Sequence, residues 1–191
     1  MVFPQRLTIE GSTTLSVASP FDGRPIGEVP LATPADVTAA VLRAKRAQAD
    51  FRRSTPAVRR ALLGALADAI AADAENLAQI LCGEVGKTIR EARNEVRRAG
   101  NTLRLSGDAA TFLDGEVLHC GIVEGGADRL ARITWEPVGV VGAVTPFNYP
   151  LNLRCHKLGP AIAAGNAVVA KPSPKAPLTA ARLAELAVTA G

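Results

Sequence analysis

Two stretches of this sequence put polar side chains where ligand chemistry could take place. In the first, the apolar run Val138-Gly139-Val140-Val141-Gly142-Ala143-Val144 ends at Thr145-Pro146-Phe147-Asn148-Tyr149-Pro150, so Asn148 sits between two prolines. In the second, Ala167-Val168-Val169-Ala170 ends at Lys171-Pro172-Ser173. Apolar, β-branched runs of this length suit buried parallel strands. Ligands of open α/β sheets bind beyond the carboxyl ends of such strands. An amide donor and an ammonium at two strand ends could together bind a polar ligand bearing phosphate or hydroxyl groups. The same residues have a plainer reading, with Asn148 capping the next helix and Lys171 a surface charge. Loop residues serve both purposes, and the residues alone leave both readings open.

The elements around these stretches can be read from periodicity and stop signals. Thr33-Pro34 and Thr55-Pro56 each pair an N-cap residue with proline at the first helical position. The first helix runs to about Phe51. After the second start, Leu62, Leu66, Ile70, Leu77, Ile80 and Leu81 recur at helical spacing and give one apolar face. A third helix spans about Lys87 to Leu113, and its Arg90, Glu91, Arg93, Glu95, Arg97 and Arg98 are expected to form a solvated face. Before these, Pro20 to Pro25 is turn chemistry and Ile26 to Val29 a small strand. Residues 116–123 and 129–135 read as two strands joined by a Glu124–Asp128 hairpin connection. A helix from about Leu151 to Ala164 stops at Gly165-Asn166, and another runs from Leu178 to Ala190. Strand–helix–strand–helix over the last part of the chain argues for a βαβ unit on a parallel sheet. The fold class is α/β, an open parallel sheet of the Rossmann type that is cut off after two strands, with N-terminal helices and a β-hairpin.

Composition narrows the function classes. The 191 residues are 48% hydrophobic and 21% charged, which is ordinary for a globular chain. Lys and Arg number 22 against 18 Asp and Glu, a net charge of +4. Basic residues are interspersed with acids, so charge gives no footprint for nucleic acid. No apolar stretch approaches the length of a membrane span, and the first residues lack a signal-peptide core. The three cysteines, Cys82, Cys120 and Cys155, are odd in number and widely spaced. That pattern fits reduced thiols and supports neither a disulfide framework nor a metal site. A soluble cytoplasmic protein is expected.

Three features imitate active-site motifs. Gly83-Glu84-Val85-Gly86-Lys87-Thr88 has two residues between its glycines where a phosphate-binding loop has four, and it reads as a turn between helices. Gly139 and Gly142 lack the third glycine of a dinucleotide fingerprint. Cys155 and His156 are neighbours on a helix, and their side chains diverge too far for a nucleophile–base pair. Arg98, Arg104, Arg154 and His156 could contact an anion, although a solvated helix position suits each of them better.

The two long motifs, correctly ordered and separated, closely resemble the NAD(P)-dependent aldehyde dehydrogenase superfamily. Phe21-Asp22-Gly23, Ile26-Gly27, Arg59-Arg60 and Glu84-Val85-Gly86-Lys87 fit the same family, so the resemblance covers nearly the whole chain. It implies the N-terminal part of a coenzyme-binding domain at 1–118, an oligomerisation hairpin at 119–136 and the start of the nucleotide-binding βαβ unit at 137–191. Asn148 would then be the oxyanion donor. Lys171 would contact the adenosine ribose, with Ser173 and Pro174 beside the same sugar. Val144, Thr145 and Phe147 would line the nicotinamide side with Asn148. Many NAD-preferring relatives carry an acid where this chain has Pro174, so either NAD or NADP is expected.

The resemblance also implies that the nucleophilic cysteine and the glutamate base of the family lie beyond residue 191. The expected function is therefore the N-terminal part of an enzyme that oxidises a small aldehyde to a carboxylic acid. The lactaldehyde, phosphonoacetaldehyde and glyceraldehyde-3-phosphate types are the nearest in character. A homo-oligomer is expected, with no nucleic acid or membrane partner. The rival reading is a non-catalytic chain that at most binds cofactor or pairs with other subunits.

Overall fold

A computed structural model describes residues 13–191, and the readings that fall on residues 1–12 lie outside it. The helices start where short-range capping chemistry says they should. Helix α1 (Pro34–Phe51) opens on a capping box in which the Thr33 hydroxyl accepts from the Asp36 amide and the Asp36 carboxylate accepts from the Thr33 amide. Helix α2 (Pro56–Ala72) opens on Thr55, whose hydroxyl accepts from the Val58 amide.

The single apolar helix expected from residue 56 to residue 81 is in fact two. Asp73 leaves helical geometry at φ −99°, ψ 17°, and α3 (Ala74–Val85) starts anew after it. Nothing in the local sequence forces this break, since no glycine or proline lies there. Its anchor comes from α6 (Leu178–Ala190), where Arg182 donates from Nε and Nη2 to the two Asp73 carboxylate oxygens at 2.8 and 2.7 Å. Helix α4 (Ile89–Ala109) begins on a second capping box, Thr88 with Glu91, and runs on into a single 3-10 turn at Ala110–Phe112.

The hydrophobic core is mainly helical. Leu63, Ile70, Leu77, Leu81 and Leu103 are fully buried, with Ala92, Val96 and Ala99 between them. Helix α5 (Asn152–Ala163) closes this core from the other side through Cys155 and Ile162, next to Leu151 just before it, and α6 through Leu183 and Leu186. At Gly159 the α5 backbone comes so near α4 that an added Cβ would fall onto the Ser106 hydroxyl.

Three two-stranded sheets surround the helices. Strands β1 (Thr14–Ala18) and β2 (Pro25–Pro30) are antiparallel. Strands β3 (Glu116–His119) and β4 (Leu130–Ile133) are also antiparallel, and they are shorter than the sequence suggests. The expected five-residue connection is instead a ten-residue tip held by successive turn hydrogen bonds, from Val123 to Cys120, Gly126 to Val123 and Arg129 to Gly126. Strands β5 (Val140–Val144) and β6 (Ala167–Lys171) are parallel, with Val140 opposite Ala167 and Val144 opposite Lys171. With α5 between them they form the expected βαβ unit.

The amino ends of β5 and β6 are fastened by side-chain amides. Asn166 accepts from the Gly139 amide at 2.9 Å and donates to the Ala161 carbonyl at 3.1 Å. The buried Gln48 of α1 accepts from the Ala167 amide at 2.7 Å and donates to the Gly165 carbonyl at 3.1 Å. Gly165, at φ 80°, supplies the left-handed turn between α5 and β6.

The Asp73–Arg182 pair makes stability depend on pH. Hydrogen bonding from Arg182 holds the Asp73 carboxyl below its ordinary value, so the pair stabilises the fold above the ordinary carboxylate range. That contribution is lost as pH falls through the depressed folded-state value. Asp73→Asn should therefore lower the unfolding free energy by about 1 kcal/mol at neutral pH and by progressively less towards pH 2. Urea unfolding of both proteins across this range checks it; a difference that does not change with pH would contradict the assignment.

Candidate functional site

The parallel register brings the two sequence motifs together. Because Val144 is level with Lys171, the Thr145–Pro150 turn and the Pro172–Ser173 turn leave the same end of the β5–β6 pair. The Thr145 amide donates to the Lys171 carbonyl at 3.2 Å, extending the ladder by one bond. Val144, Phe147, Asn148, Lys171 and Pro174 are all exposed at this end. Among the described residues the Asn148 amide has no hydrogen-bond partner, so it does not cap α5, and the plain structural reading of that residue fails. Ser173 is buried, and its hydroxyl accepts from the Lys175 amide at 3.2 Å, which leaves its own O–H free to donate. Lys175 places its ammonium 4.8 Å from the centre of the Phe147 ring, linking the two turns.

Thr145 stands apart from the other predicted site residues. Its side chain is buried, and its hydroxyl accepts from Nη2 of Arg154 at 3.1 Å. Arg154 itself, expected on a solvated helix face, is only 2% exposed. Its Nε and Nη1 are buried without a hydrogen-bond partner among the described residues. Arg104 pairs with Asp68 at 2.8 Å on the surface. His156 is exposed, its Nε2 3.5 Å from the Thr102 hydroxyl.

Two carboxylates that the sequence reading left out hold the site's helices. Helix α5 has no cap from its own N-cap residue; instead Glu95 of α4 accepts from the Leu151 and Asn152 amides at 2.9 and 3.1 Å. Helix α6 likewise lacks a local side-chain cap. Glu84 of α3 accepts from the Leu178 and Thr179 amides at 2.8 and 2.9 Å and from the Thr179 hydroxyl. Each is a negative charge on the positive end of a helix, offered by a different helix. Glu95 was expected on a solvated face and is instead fully buried, as the partner of Lys87. The decoy motif at 83–88, expected as a turn between helices, is the end of α3 through Val85 followed by a short turn at 86–88, and it carries both Glu84 and Lys87. Burial pushes the Glu84 carboxyl up, against the hydrogen bonds from Thr179 and the nearby Arg154 charge, which pull it down.

The cysteines do not form a nucleophile site. Cys155 is completely buried, and burial pushes its thiol up to about 12. Burial also raises Cys82, and Cys120 lies at the hairpin tip. Among the described residues no cluster of His, Cys, Asp and Glu could hold a metal ion, and no helix is long and apolar enough to cross a membrane.

An α/β unit with these motifs at the carboxyl ends of its strands defines a class. The sequence profile of the aldehyde dehydrogenase family matches residues 8–191, and the chain belongs to that family. It is 44% identical to the 3-sulfolactaldehyde dehydrogenase of Priestia megaterium over 93% of this chain and 37% of that protein. It is 39% identical to the NADP/NAD-dependent aldehyde dehydrogenase PuuC of Escherichia coli, over 93% of this chain and 36% of that one. The NADP-dependent glyceraldehyde-3-phosphate dehydrogenase of Bacillus halodurans, solved with NADP, matches 94% of this chain and 38% of its own, at 34% identity and a TM-score of 0.91. The chain thus spans a little over a third of each relative and corresponds to an N-terminal part of the family.

Glu84→Ala would leave three donors at the start of α6 unpaired in a buried setting. At about 1–3 kcal/mol for each such group, partly relieved by relaxation, the loss should be about 3 kcal/mol. Chemical denaturation of the 191-residue chain measures it, and a midpoint equal to that of the parent would contradict this role.

Proposed function

We propose that this chain supplies the coenzyme-binding part and the oxyanion donor of an NAD(P)-dependent aldehyde dehydrogenase acting on a small aldehyde. The observation that carries this reading is the exposed Asn148 amide, without a hydrogen-bond partner among the described residues, in the turn that leaves β5 at the same end of the pair where β6 ends in Lys171. The residues there suit a dinucleotide. Val144 and Phe147 offer exposed apolar surface, Lys171 and Lys175 offer charge, and no carboxylate occurs from 171 to 175 to repel a 2′-phosphate. Lys171, Ser173 and Pro174 would hold the adenosine ribose. Val144 and Phe147 would lie along the nicotinamide, with the buried Thr145 between them in the chain. NAD(P)+ held by these residues would supply the hydride acceptor for the oxidation.

Asn148 would donate from its side-chain amide to the aldehyde oxygen as that oxygen gains negative charge under attack by a thiolate. The attacking thiolate is assigned to residues outside this segment: Cys155 is fully buried in the core with its thiol pushed up to about 12, and burial raises Cys82 as well. The relatives named above include enzymes for 3-sulfolactaldehyde and glyceraldehyde-3-phosphate, whose names point to short aldehydes bearing an anionic group. The hairpin, with Val117, Leu130, Ile122 and Trp135 exposed, would pair subunits of a homo-oligomer.

A full-length enzyme for testing can be made by placing residues 8–191 of this chain in the matching segment of the Priestia megaterium relative. In it, Asn148→Ala should lower kcat by about 100- to 1000-fold with little change in cofactor affinity. Unchanged turnover would remove Asn148 from the reaction. Lys171→Ala should weaken NAD or NADP binding by about tenfold or more, the effect of losing one charge-assisted hydrogen bond. Calorimetric titration with each cofactor checks this, and unchanged dissociation constants for both would overturn the assignment.

A further inference from the structure

The Asn148 turn is gripped from below by charged groups that no step of the proposed reaction uses. Glu95 is fully buried on α4 and accepts from the backbone amides of Leu151 and Asn152 through one carboxylate oxygen. Its other oxygen accepts from the Lys87 ammonium, whose side chain is 13% exposed. The same ammonium lies 3.6 Å from the centre of the Tyr149 ring, with the Arg98 guanidinium 5.8 Å away from it. Tyr149, Leu151 and Asn152 are therefore all held by one ion pair, directly after Asn148. The Asn152 side chain adds a further tie by accepting from the Thr102 hydroxyl at 3.1 Å. A simple cap for α5 would need only the carboxylate. The ammonium shared between that carboxylate and the ring fixes the turn as well as the helix.

We propose that Lys87 and Glu95 are positioning residues, which set the direction of the Asn148 amide through Tyr149 and the start of α5. The inference rests on the reading of Asn148 as oxyanion donor. It adds to that reading that the donor's aim is set by an ion pair more than 50 residues earlier in the chain. An oxyanion donor acts only at hydrogen-bond distance from the developing charge, so loosening the turn lowers turnover before it affects binding.

Three variants of the full-length enzyme test this. Lys87→Met removes the ammonium, Lys87→Arg keeps a cation that can still pair with Glu95 and lie on the ring, and Tyr149→Leu removes the ring without stranding a buried charge. Lys87→Met should lower kcat by about 10- to 100-fold while KM for the cofactor moves less than twofold. Lys87→Arg should recover most of the loss. In an Asn148→Ala background, Lys87→Met should cost less than threefold more, because its effect passes through the missing amide. A purely structural role would give the same loss with and without Asn148. If Lys87→Met does not fold, Tyr149→Leu replaces it in the same comparison. A large loss from Asn148→Ala with none from Lys87→Met or Tyr149→Leu would overturn the positioning role and leave the oxyanion reading standing. Unchanged turnover in Asn148→Ala would overturn both.

Discussion

The structure depends on two buried carboxylates that start helices other than their own. A βαβ unit needs its crossover helix to begin close under the strand that feeds it, and the first turn of any helix exposes unpaired amides. Leu151 and Pro177, the residues at the two N-caps, supply no side-chain acceptor. Glu95 and Glu84 supply it from α4 and α3. The helical core therefore does more than cover the sheet. It determines where α5 and α6 begin, and with them where β5 and β6 end.

That arrangement explains how a pair of strands can present a well-defined site. The amino ends of β5 and β6 are tied by Gln48 and Asn166, and their carboxyl ends open into turns that lead to helix starts held by Glu95 of α4 and Glu84 of α3. Between these fixed ends the Asn148 and Lys171 side chains are exposed and make no hydrogen bond among the described residues. Asn148 and Lys171 remain available because neighbouring residues do the structural work: Glu95 caps the helix, Ser173 closes the turn after Lys171, and Gln48 holds the strand. The Asp73–Arg182 pair extends the same principle to the far side of α6.

Much of this was legible in the sequence, and the gaps have a common cause. Thr33-Pro34, Thr55-Pro56 and Gly165-Asn166 act over a few residues, so the helix ends they mark fell where read. Long apolar runs marked β5 and β6 for the same reason. The break at Asp73 was missed because its anchor, Arg182, is 109 residues away. The buried glutamates were missed for a similar reason, with partners 56 and 94 residues downstream. A local signal did exist. Glu95 lies in phase with Ala92, Val96 and Ala99, and Glu84 with Leu77 and Leu81, so each charge sits in an apolar stripe. The site residues themselves came mainly from the resemblance. The residues alone left Asn148 divided between cap and ligand donor; the placement of Glu95 at that cap removes the first reading, and the second is the proposed one.

Amide hydrogen exchange of the 191-residue chain tests the central claim most directly. First-turn amides of an ordinary helix exchange through local fraying, since no backbone carbonyl holds them. If Glu95 and Glu84 seat the two helices, the Leu151, Asn152, Leu178 and Thr179 amides should exchange only when the core opens, at the rate of core amides such as those of Leu81 and Leu103. Exchange of these four amides at rates typical of exposed helix starts, while the core stays protected, would contradict it.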